Sequence, residues 1–464
     1  MTQQNRTWLW LIGCGVGLMG MMTCLVVFAA AALIIVLREE SPTPVAEELP
    51  VATDTPAIEA VVPDTPLLIP DPALTVNRIV YIDRDGQIVT IAPDGTETRQ
   101  LTDDDDLRFQ FPAWSPDGLQ VAAIGSSRQS GGLFVLDDAA AAAPVELYRS
   151  SSNYPIYLYW SPTGQQVSFL AGHPQDGAGF HLANADGSTT DSLLTTGSPF
   201  YWNWLNDGLN LFIHSGLTGE GSRLGFMDNQ GNTETTNLAE PGFFQSPGLS
   251  ADGRYLAYGT LRDNQRRLII ADQQNGSEVS VQHQGFVALG WSPANDQLAF
   301  TSPLNPSDLA FGPLRLMDAT TGDVTLLDSG PVFSFFWSPD GQAIAYLTLP
   351  SESLEDSAYE GSKGVLARPQ NQRDDFLLEL RVVQVATGQR RVLLQFSPTN
   401  LFINQFLPFF DQYALSHRLW SPASDALVLP MLNDDGDPHI MIIRLDGSLP
   451  QPLAEGVMAF WSQQ

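Results

Sequence analysis

A run of aromatic side chains near the C-terminal end is the sequence's main candidate for recognition chemistry. Residues 397–417 read "SPTNLFINQFLPFFDQYALSH" and hold five aromatic side chains within twelve positions. Aromatic rings beside a carboxylate and an imidazole are typical of interfaces and ligand pockets. The same composition also suits a small satellite core with a helical turn. The candidate binding residues are Phe409, Phe410, Asp411, Tyr413 and His417.

These residues would take distinct roles in a contact site. Phe409 and Phe410 would anchor a partner, because aromatic anchors dominate interface energies. Asp411 and Tyr413 would orient the partner through hydrogen bonds. An exposed His417 would make the contact sensitive to pH near about 6.5. In a satellite core, the same rings would pack on the rest of the protein instead.

No other pattern in the chain indicates catalysis or a metal. The sequence has no G-x-S-x-G nucleophile elbow, no H-E-x-x-H pair and no phosphate-binding glycine loop, and its six histidines are scattered. Acidic runs at 103–106 and 433–439 resemble calcium ligands, but the second lacks the spacing of a calcium loop. We predict that both are solvated loops, and we predict no catalytic residue, metal or cofactor.

A short motif recurs along most of the chain and predicts its architecture. "FWSPDGQAIAYL" at 336–347 joins two apolar strands through a Ser-Pro-Asp-Gly turn, in which Pro fixes φ and Gly adopts positive φ. Related segments are spaced by 41 to 46 residues, with one interval of 83. A period of about 40–45 residues is typical of four-stranded propeller blades. The marker positions are Trp114, Trp160, Trp204, Leu249, Trp291, Trp337, Trp420 and Trp461.

Glycine turns midway through each period complete the predicted blade. Pairs such as Asp94-Gly95 and Asp446-Gly447 follow apolar strands and favour short hairpins. We therefore place strand A after the marker turn, then B, the glycine turn, C, and a strand D that ends at the next marker. This predicts an all-β, eight-bladed propeller over residues 77–464, with seven blades as the alternative. Each blade would be one contiguous segment, so the ring would close without exchanging a strand.

These segments resemble the TolB-type propeller repeat, a relative of the WD repeat whose hallmark is "WSPDG" before an apolar strand. The resemblance covers residues 77–464 and implies a propeller of bacterial type. The chain departs from the pattern at Leu249, where Trp is missing, and at Asn295 and Ser424, where the turn Gly is absent. Propellers of this type serve as binding modules, secretion-linked scaffolds and accessory domains of peptidases, so the resemblance defines no single function.

Two insertions enlarge the predicted seventh blade. They are residues 351–375, between strands A and B, and residues 397–417, between strands C and D. The A–B and C–D connections of an antiparallel meander leave on the same side, so both insertions should lie on the rim opposite the marker turns. The first is polar and is expected to be a surface loop, and the second is the aromatic run.

The N-terminal region predicts a single-pass membrane anchor. Residues 7–37 carry no charge over 31 positions, whereas about 20 apolar residues suffice to span a bilayer. Arg6 precedes this transmembrane helix, and Arg38 with two glutamates directly behind it follows the helix. The positive-inside rule then places residues 1–6 in the cytoplasm and the propeller outside the cell membrane. Residues 38–76 are predicted to be an extended linker, because they are acidic and rich in proline.

Two alternatives stay open for this span. A cleaved signal peptide has an apolar core of about 7–15 residues, which is much shorter. "LIGC" at 11–14 resembles a lipoprotein signal, although the apolar run continues for 23 residues after the cysteine. Gly13 and Gly17 form a G-x-x-x-G pair, which is a basis for weak dimerisation of the anchor. Both cysteines, Cys14 and Cys24, precede the propeller, so no disulfide is expected in it.

The net charge of the chain disfavours some classes of binding partner. It carries 52 acidic and 22 basic residues, a net charge of −30, which disfavours nucleic acid and anionic lipid head groups. Without a catalytic motif, the sequence predicts a non-catalytic binding, scaffold or sensor module in a bacterial envelope, with a protein or peptide partner. The alternative is an enzyme, either a hydrolase working in the propeller channel or an accessory subunit of a peptidase.

Overall fold

The computed structural model describes residues 76–463, except 140–141, 189–191, 218–220, 234–236, 306–310 and 351–375. The predicted anchor with its glycine pair, the linker up to residue 75 and the insertion 351–375 lie outside the described residues. In the part of the chain that the structure describes, no helix is long and apolar enough to cross a bilayer.

Short strands follow one another along the chain, and most of them are rich in β-branched and aromatic residues that suit a buried pleated surface. The first seven are β1 (Ile79–Ile82), β2 (Ile88–Ile91), β3 (Arg99–Gln100), β4 (Arg108–Trp114), β5 (Gln120–Ser126), β6 (Gly131–Asp137) and β7 (Val145–Ser150). The next seven are β8 (Pro155–Trp160), β9 (Gln166–His173), β10 (Gly177–Asn184), β11 (Ser192–Thr196), β12 (Phe200–Trp204), β13 (Asn210–Ser215) and β14 (Arg223–Asp228).

The second half of the described chain continues in the same way. Its first eight strands are β15 (Gly248–Leu249), β16 (Tyr255–Arg262), β17 (Gln265–Asp272), β18 (Glu278–Gln282), β19 (Ala288–Trp291), β20 (Gln297–Thr301), β21 (Gly312–Asp318) and β22 (Val324–Trp337). The remaining strands are β23 (Ala343–Thr348), β24 (Leu378–Gln384), β25 (Arg390–Pro398), β26 (Ala426–Leu432), β27 (Pro438–Arg444), β28 (Gln451–Glu455) and β29 (Met458–Trp461). A helical segment, described below, separates β25 from β26.

Hydrogen bonding groups these strands into repeated antiparallel sheets. Strands β4–β7, β8–β11 and β15–β18 form four-stranded sheets, and β12–β14 form a three-stranded one. Strands β19–β28 form a continuous ladder, in which β22 pairs with β21 through its first part and with β23 through its second. A series of such four-stranded sheets is the architecture of a β-propeller, which confirms the predicted all-β class.

The chain closes the first sheet differently from the prediction. Strand β29 pairs with β1, with Trp461 opposite Ile79 and Met458 opposite Ile82, so the C-terminal strand joins β1, β2 and β3 in one sheet. The prediction of contiguous blades is wrong because each marker strand belongs to the sheet that follows it. The marker turn makes β4 and β5 antiparallel neighbours, and the last marker strand therefore completes the first sheet.

The marker turns fold as their residues predict. The hydroxyl of Ser338 donates to Oδ1 of Asp340 at 2.6 Å, and the same carboxylate oxygen accepts the N–H of Gln342 at 3.0 Å. Gly341 completes the turn at a φ of 66°, and Ser424 adopts a φ of 60° in a turn that lacks the glycine. The aspartate therefore caps its own turn.

The marker tryptophans connect each sheet to the preceding one. Their indole N–H groups donate to the carbonyl oxygen of the residue just before the previous marker: Trp160 to Ala113 at 2.9 Å, Trp337 to Gly290 at 2.9 Å, Trp420 to Phe336 at 3.0 Å and Trp114 to Phe460 at 3.4 Å. The last of these bonds crosses the closing sheet. These four tryptophans therefore join neighbouring sheets through a specific hydrogen bond.

Three tryptophan joints depart from this pattern, and at one of them the indole of Trp461 donates to Oδ1 of Asn77 at 2.6 Å. Trp204 donates to the hydroxyl of Ser168 at 3.1 Å, and that hydroxyl donates in turn to the carbonyl of Tyr159, so the bond is relayed. The indole nitrogen of Trp291 has no hydrogen-bond partner among the described residues. The preceding marker there is Leu249, on the two-residue strand β15. The joint where Leu249 replaces the marker tryptophan therefore has the shortest marker strand, and the indole N–H of Trp291 is unpaired there.

Trp337 and Trp291 form a matched pair for measuring this bond, because both are half-buried and lie at neighbouring joints. We expect Trp337→Phe to lower the free energy of unfolding by about 1 kcal/mol more than Trp291→Phe, since only the first change removes a hydrogen bond. Urea unfolding followed by circular dichroism measures the difference. Equal losses in the two variants would show that the bond does not stabilise the joint.

Candidate functional site

The aromatic run folds as three consecutive helical turns between β25 and the next marker. They are a π-helical turn (Phe402–Phe406), a 3-10 turn (Leu407–Phe409) and the α-helix α1 (Phe410–Ser416). Pro408 lies in the first turn of the 3-10 segment, where its missing N–H costs no hydrogen bond. The chain leaves the helix at His417, which is extended. We call residues 399–417 the axial segment.

The rings of the axial segment pack on the marker strands of several sheets. Phe410 lies edge-on to Phe335 of β22 at 5.3 Å between ring centroids. Tyr413 stacks on Phe111 of β4 at 4.7 Å. Phe406 lies 5.5 Å from the ring of Phe460 in β29. Three sheets that are far apart in sequence therefore share one aromatic cluster.

Hydrogen bonds tie α1 to three further sheets. The hydroxyl of Tyr157, in β8, donates to the carbonyl of Gln412 at 2.9 Å. The side-chain amide of Gln412 donates to the carbonyl of Trp202 in β12 at 2.9 Å and accepts the N–H of the same residue at 3.1 Å. The N–H of Ser246, just before β15, donates to a carboxylate oxygen of Asp411 at 3.3 Å. Gln412 thus pairs with β12 as a neighbouring strand would.

These contacts place the axial segment at the centre of the ring. One short helix touches β4, β8, β12, β22 and the approach to β15, and these strands belong to different sheets. Such a segment can lie only where the marker strands converge. Residues 402–417 are therefore inside the ring and not on a rim, because burial against several sheets stabilises five aromatic rings more than exposure does. The insertion 351–375, predicted on the same rim, lies outside the described residues.

The predicted binding residues divide into two groups. Phe410, Tyr413 and His417 are buried, with exposed fractions of 7%, 3% and 3%. Phe409 and Asp411 are half-buried. The burial of the first group supports the interpretation as a core, one of the two that the sequence leaves open. A contact role for the partly accessible pair stays a prediction.

His417 is not the pH sensor that an exposed position would make it. Its Nε2 faces the carbonyl of Phe111 at 3.2 Å, and its Nδ1 lies 2.6 Å from the hydroxyl of Ser416. A carbonyl only accepts, so the proton of the neutral ring lies on Nε2. Burial lowers the pKa of His417 to about 4, because the charged form would lose its hydration. The condition for a titration near pH 6.5, an exposed imidazole, is therefore not met.

Asp411 is less buried than His417, and burial has the opposite effect on its pKa. Burial raises the pKa of its carboxyl to about 6, although the N–H groups of Ser246 and Gln412 partly offset the shift. No arginine, lysine or histidine of the described residues forms an ion pair with this carboxylate. It is therefore an acidic group at the ring centre with backbone donors as its partners.

Sequence reasoning missed the residues that receive the axial segment. Phe111 and Tyr157 each lie three positions before a marker tryptophan, and Trp202 lies two positions before one. Aromatic residues just ahead of the markers were the available signal. Gln412 carried no signal, because its partner is the backbone of a distant strand.

The acidic runs at 103–106 and 433–437 are largely exposed loops, as predicted. Oδ1 of Asp104 accepts the N–H groups of Asp106 and Leu107, and Oδ1 of Asn433 accepts those of Asp435 and Asp437. Among the residues that the structure describes, no group of three or more histidine, cysteine or acidic side chains has the arrangement of a metal site.

Comparison with known proteins finds likeness in fold only. No family model and no curated protein matches the sequence. Among solved structures, TolB from Acinetobacter baumannii is similar at 16% identity and a TM-score of 0.36, over 68% of this chain and 62% of that one. A putative TolB from Agrobacterium tumefaciens is similar at 19% identity and a TM-score of 0.32, over 55% and 89%.

An enzyme also appears among the similar structures. Oligogalacturonate lyase from Vibrio parahaemolyticus matches at 13% identity and a TM-score of 0.42, over 82% of this chain and 85% of that one. At such identities the likeness concerns the fold alone. The chain's own repeats and strand pairing define it as a β-propeller with repeats of the TolB type.

Replacing Asp411 by Asn tests its electrostatic environment. The folded-state pKa, about 6, lies above the ordinary value of 3.8, so the native state binds the proton more tightly and loses stability as pH rises from about 4 to 6. We expect Asp411→Asn to exceed the wild type in free energy of unfolding by about 3 kcal/mol above pH 6 and to match it below pH 4. Urea unfolding across this range measures the difference, and a pH-independent difference would contradict the assignment.

Proposed function

We propose that the chain is an eight-bladed, membrane-anchored propeller that acts outside the cell membrane as a non-catalytic binding, scaffold or sensor module. Its partner is a protein or a peptide of the envelope. The observation that carries this proposal is the axial segment, whose buried rings occupy the centre of the ring.

The filled centre favours binding over catalysis in a channel. An enzyme site needs a concave space that holds most of the substrate away from water. Here Phe406, Phe410 and Tyr413 occupy the space where the marker strands converge. One recess beside it, lined by residues including Tyr159 and Leu415, measures only about 260 Å³. The outer faces of the propeller are then the surfaces available to a partner, and faces of this kind suit protein interfaces.

The strand pairing supports a count of eight blades. The ten-stranded ladder divides into three units, at β22 and at the short contact between β25 and β26. In the last unit, an isolated bridge from Trp420 to Leu427 takes the place of a marker strand. The three units of the ladder and the five separate sheets make eight, and each of the eight holds one marker position.

The sequence supports the placement outside the membrane. The uncharged span 7–37 follows Arg6 and precedes an acidic linker, which is the charge distribution of an anchor with a cytoplasmic N-terminus. A net charge of −30 and a propeller without cysteine suit a soluble domain on the outer side.

Capture of a partner from envelope extract tests the proposed role. We expect the full chain, purified in mild detergent, to retain one envelope protein or peptide saturably. Phe410→Ala should lower the free energy of unfolding by about 3–5 kcal/mol, because it empties part of the buried cluster. Phe409 is the half-buried neighbour of Phe410. Phe409→Ala should leave the melting temperature nearly unchanged, so weaker capture by this variant would mean that Phe409 contributes to binding the partner.

Two further experiments test the membrane topology and the enzyme alternative. Protease added to intact spheroplasts should release the propeller while a cytoplasmic marker stays intact, and protection of the propeller would contradict the topology. Turnover of peptide, ester or glycoside substrates by the purified chain, lost when one carboxylate is replaced, would favour the enzyme alternative.

A further inference from the structure

A recess opens beside the axial segment, on the side of the propeller that carries the marker turns. It measures about 260 Å³ and is lined by Pro116, Tyr159, Trp160, Pro162, Leu415 and Gln463. Pro116 and Pro162 belong to two successive marker turns, and Leu415 belongs to α1. Pro162 is exposed and Leu415 is half-buried, so solvent reaches the recess. An apolar cavity of about 150 Å³ already accommodates a benzene ring, so this recess accommodates a large apolar side chain.

Tyr159 supplies a polar group to the wall of the recess. It lies two positions after Tyr157 in β8, so both side chains project from the same face of the strand, the face that Tyr157 turns toward α1. The hydroxyl of Tyr159 has no hydrogen-bond partner among the described residues. Burial raises the pKa of Tyr159, so the hydroxyl stays protonated at physiological pH and is able to donate to a backbone carbonyl of an occupant.

A cation without a carboxylate partner lies next to the recess. Arg418 donates from its guanidinium group to the carbonyl of Gln463 at 2.5 Å. Burial is the one cause that acts on the pKa of Arg418, which it lowers to about 10, and no carboxylate of the described residues forms an ion pair with this side chain. The guanidinium is still charged at physiological pH. An occupant with an acidic side chain therefore complements the site, because buried charges are stable when they are paired.

The N-terminal end of the described chain lies beside the same recess. The carbonyl of Val76 accepts a hydrogen bond from the hydroxyl of Ser462, one position before Gln463. The side chain of Val76 packs on Gly118, where an added Cβ would lie 2.9 Å from the Cβ of Val76. Gly118 is two positions after Pro116 in the same marker turn. A chain advances by up to about 3.6 Å per residue, so a few residues before Val76 suffice to reach the recess.

The composition of the chain just before Val76 suits this recess. Residues 66–74, which lie outside the described residues, read "PLLIPDPAL" and hold four large apolar side chains with one acidic residue, Asp71. Residues 38–65, further from the propeller in sequence, hold seven acidic residues. The most apolar part of the linker is therefore the part next to the recess, and it carries a single carboxylate that matches the single unpaired arginine there.

We propose that residues 66–74 of this chain dock in the recess, with an apolar side chain beside Leu415 and with Asp71 paired with Arg418. The hydroxyl of Tyr159 donates to a backbone carbonyl of the docked segment. Because a short chain joins the segment to the propeller, its effective concentration is on the order of millimolar, and a modest contact keeps it docked. A binding partner then uses another surface or displaces the segment. The inference goes beyond the proposed binding role and does not depend on it.

Thiol labelling of the full chain in mild detergent tests the docking. In a background with Cys14→Ser and Cys24→Ser, Leu415→Cys introduces the one thiol of the chain. We expect a maleimide to label this thiol at least about tenfold faster when residues 66–74 are replaced by a Gly-Ser sequence of equal length, because the docked segment shields the recess. As a control, Ser277→Cys in an exposed turn of another sheet should be labelled at the same rate with either linker.

Two carboxylates of the linker give a matched comparison. Asp71→Asn removes the proposed partner of Arg418, so it should speed the labelling of Leu415→Cys severalfold. Asp64→Asn lies outside the docked segment and should leave the rate unchanged. Should Leu415→Cys lower the melting temperature, Gln463→Cys on the same recess carries the test in its place.

Three results would overturn the proposal. Equal labelling with the native and the Gly-Ser linker would show that residues 66–74 do not cover the recess, and equal rates in the Asp71 and Asp64 variants would remove the pairing with Arg418. Labelling that becomes faster on dilution would identify a second copy of the chain as the occupant.

Discussion

The hydrogen bond from the marker indole to the preceding marker strand, present at four of the eight markers, is the interaction on which the ring depends. A four-stranded sheet has exposed faces and cannot bury its apolar residues alone, so each sheet must fix its position against its neighbours. Trp160, Trp337 and Trp420 do this through an N–H bond to a defined backbone carbonyl, which sets distance and orientation as well as burial. Trp114 repeats the bond across the sheet that joins both ends of the propeller.

A ring of sheets held in this way converges on a central space, which the chain itself fills. The axial segment supplies stacked rings for the apolar part of the marker strands and Gln412 for the backbone of β12. Burial explains why its titratable groups shift in opposite directions: His417 stays neutral to lower pH and Asp411 holds its proton to higher pH. The centre is thus part of the core.

Local features were predictable from the sequence, and long-range pairings were not. The turn at Ser338–Gly341 folds as its residues require, because its hydrogen bonds join neighbours in sequence. The pairing of β29 with β1 joins residues more than 370 positions apart, and the marker motif alone does not state which sheet its strand belongs to. The location of Phe410 and Tyr413 was undecided for a related reason. Aromatic composition suits a core and an interface equally, and only the aromatic residues ahead of the markers, such as Phe111, pointed inward.

Native-state hydrogen exchange of the axial segment tests the central claim most directly. If residues 402–417 are core, the amides of α1 should open only with the marker strands β8 and β12, and their exchange should report the free energy of global unfolding. Exchange of the α1 amides at nearly unprotected rates, while β8 and β12 stay protected, would contradict the account and show that the centre of the propeller is open.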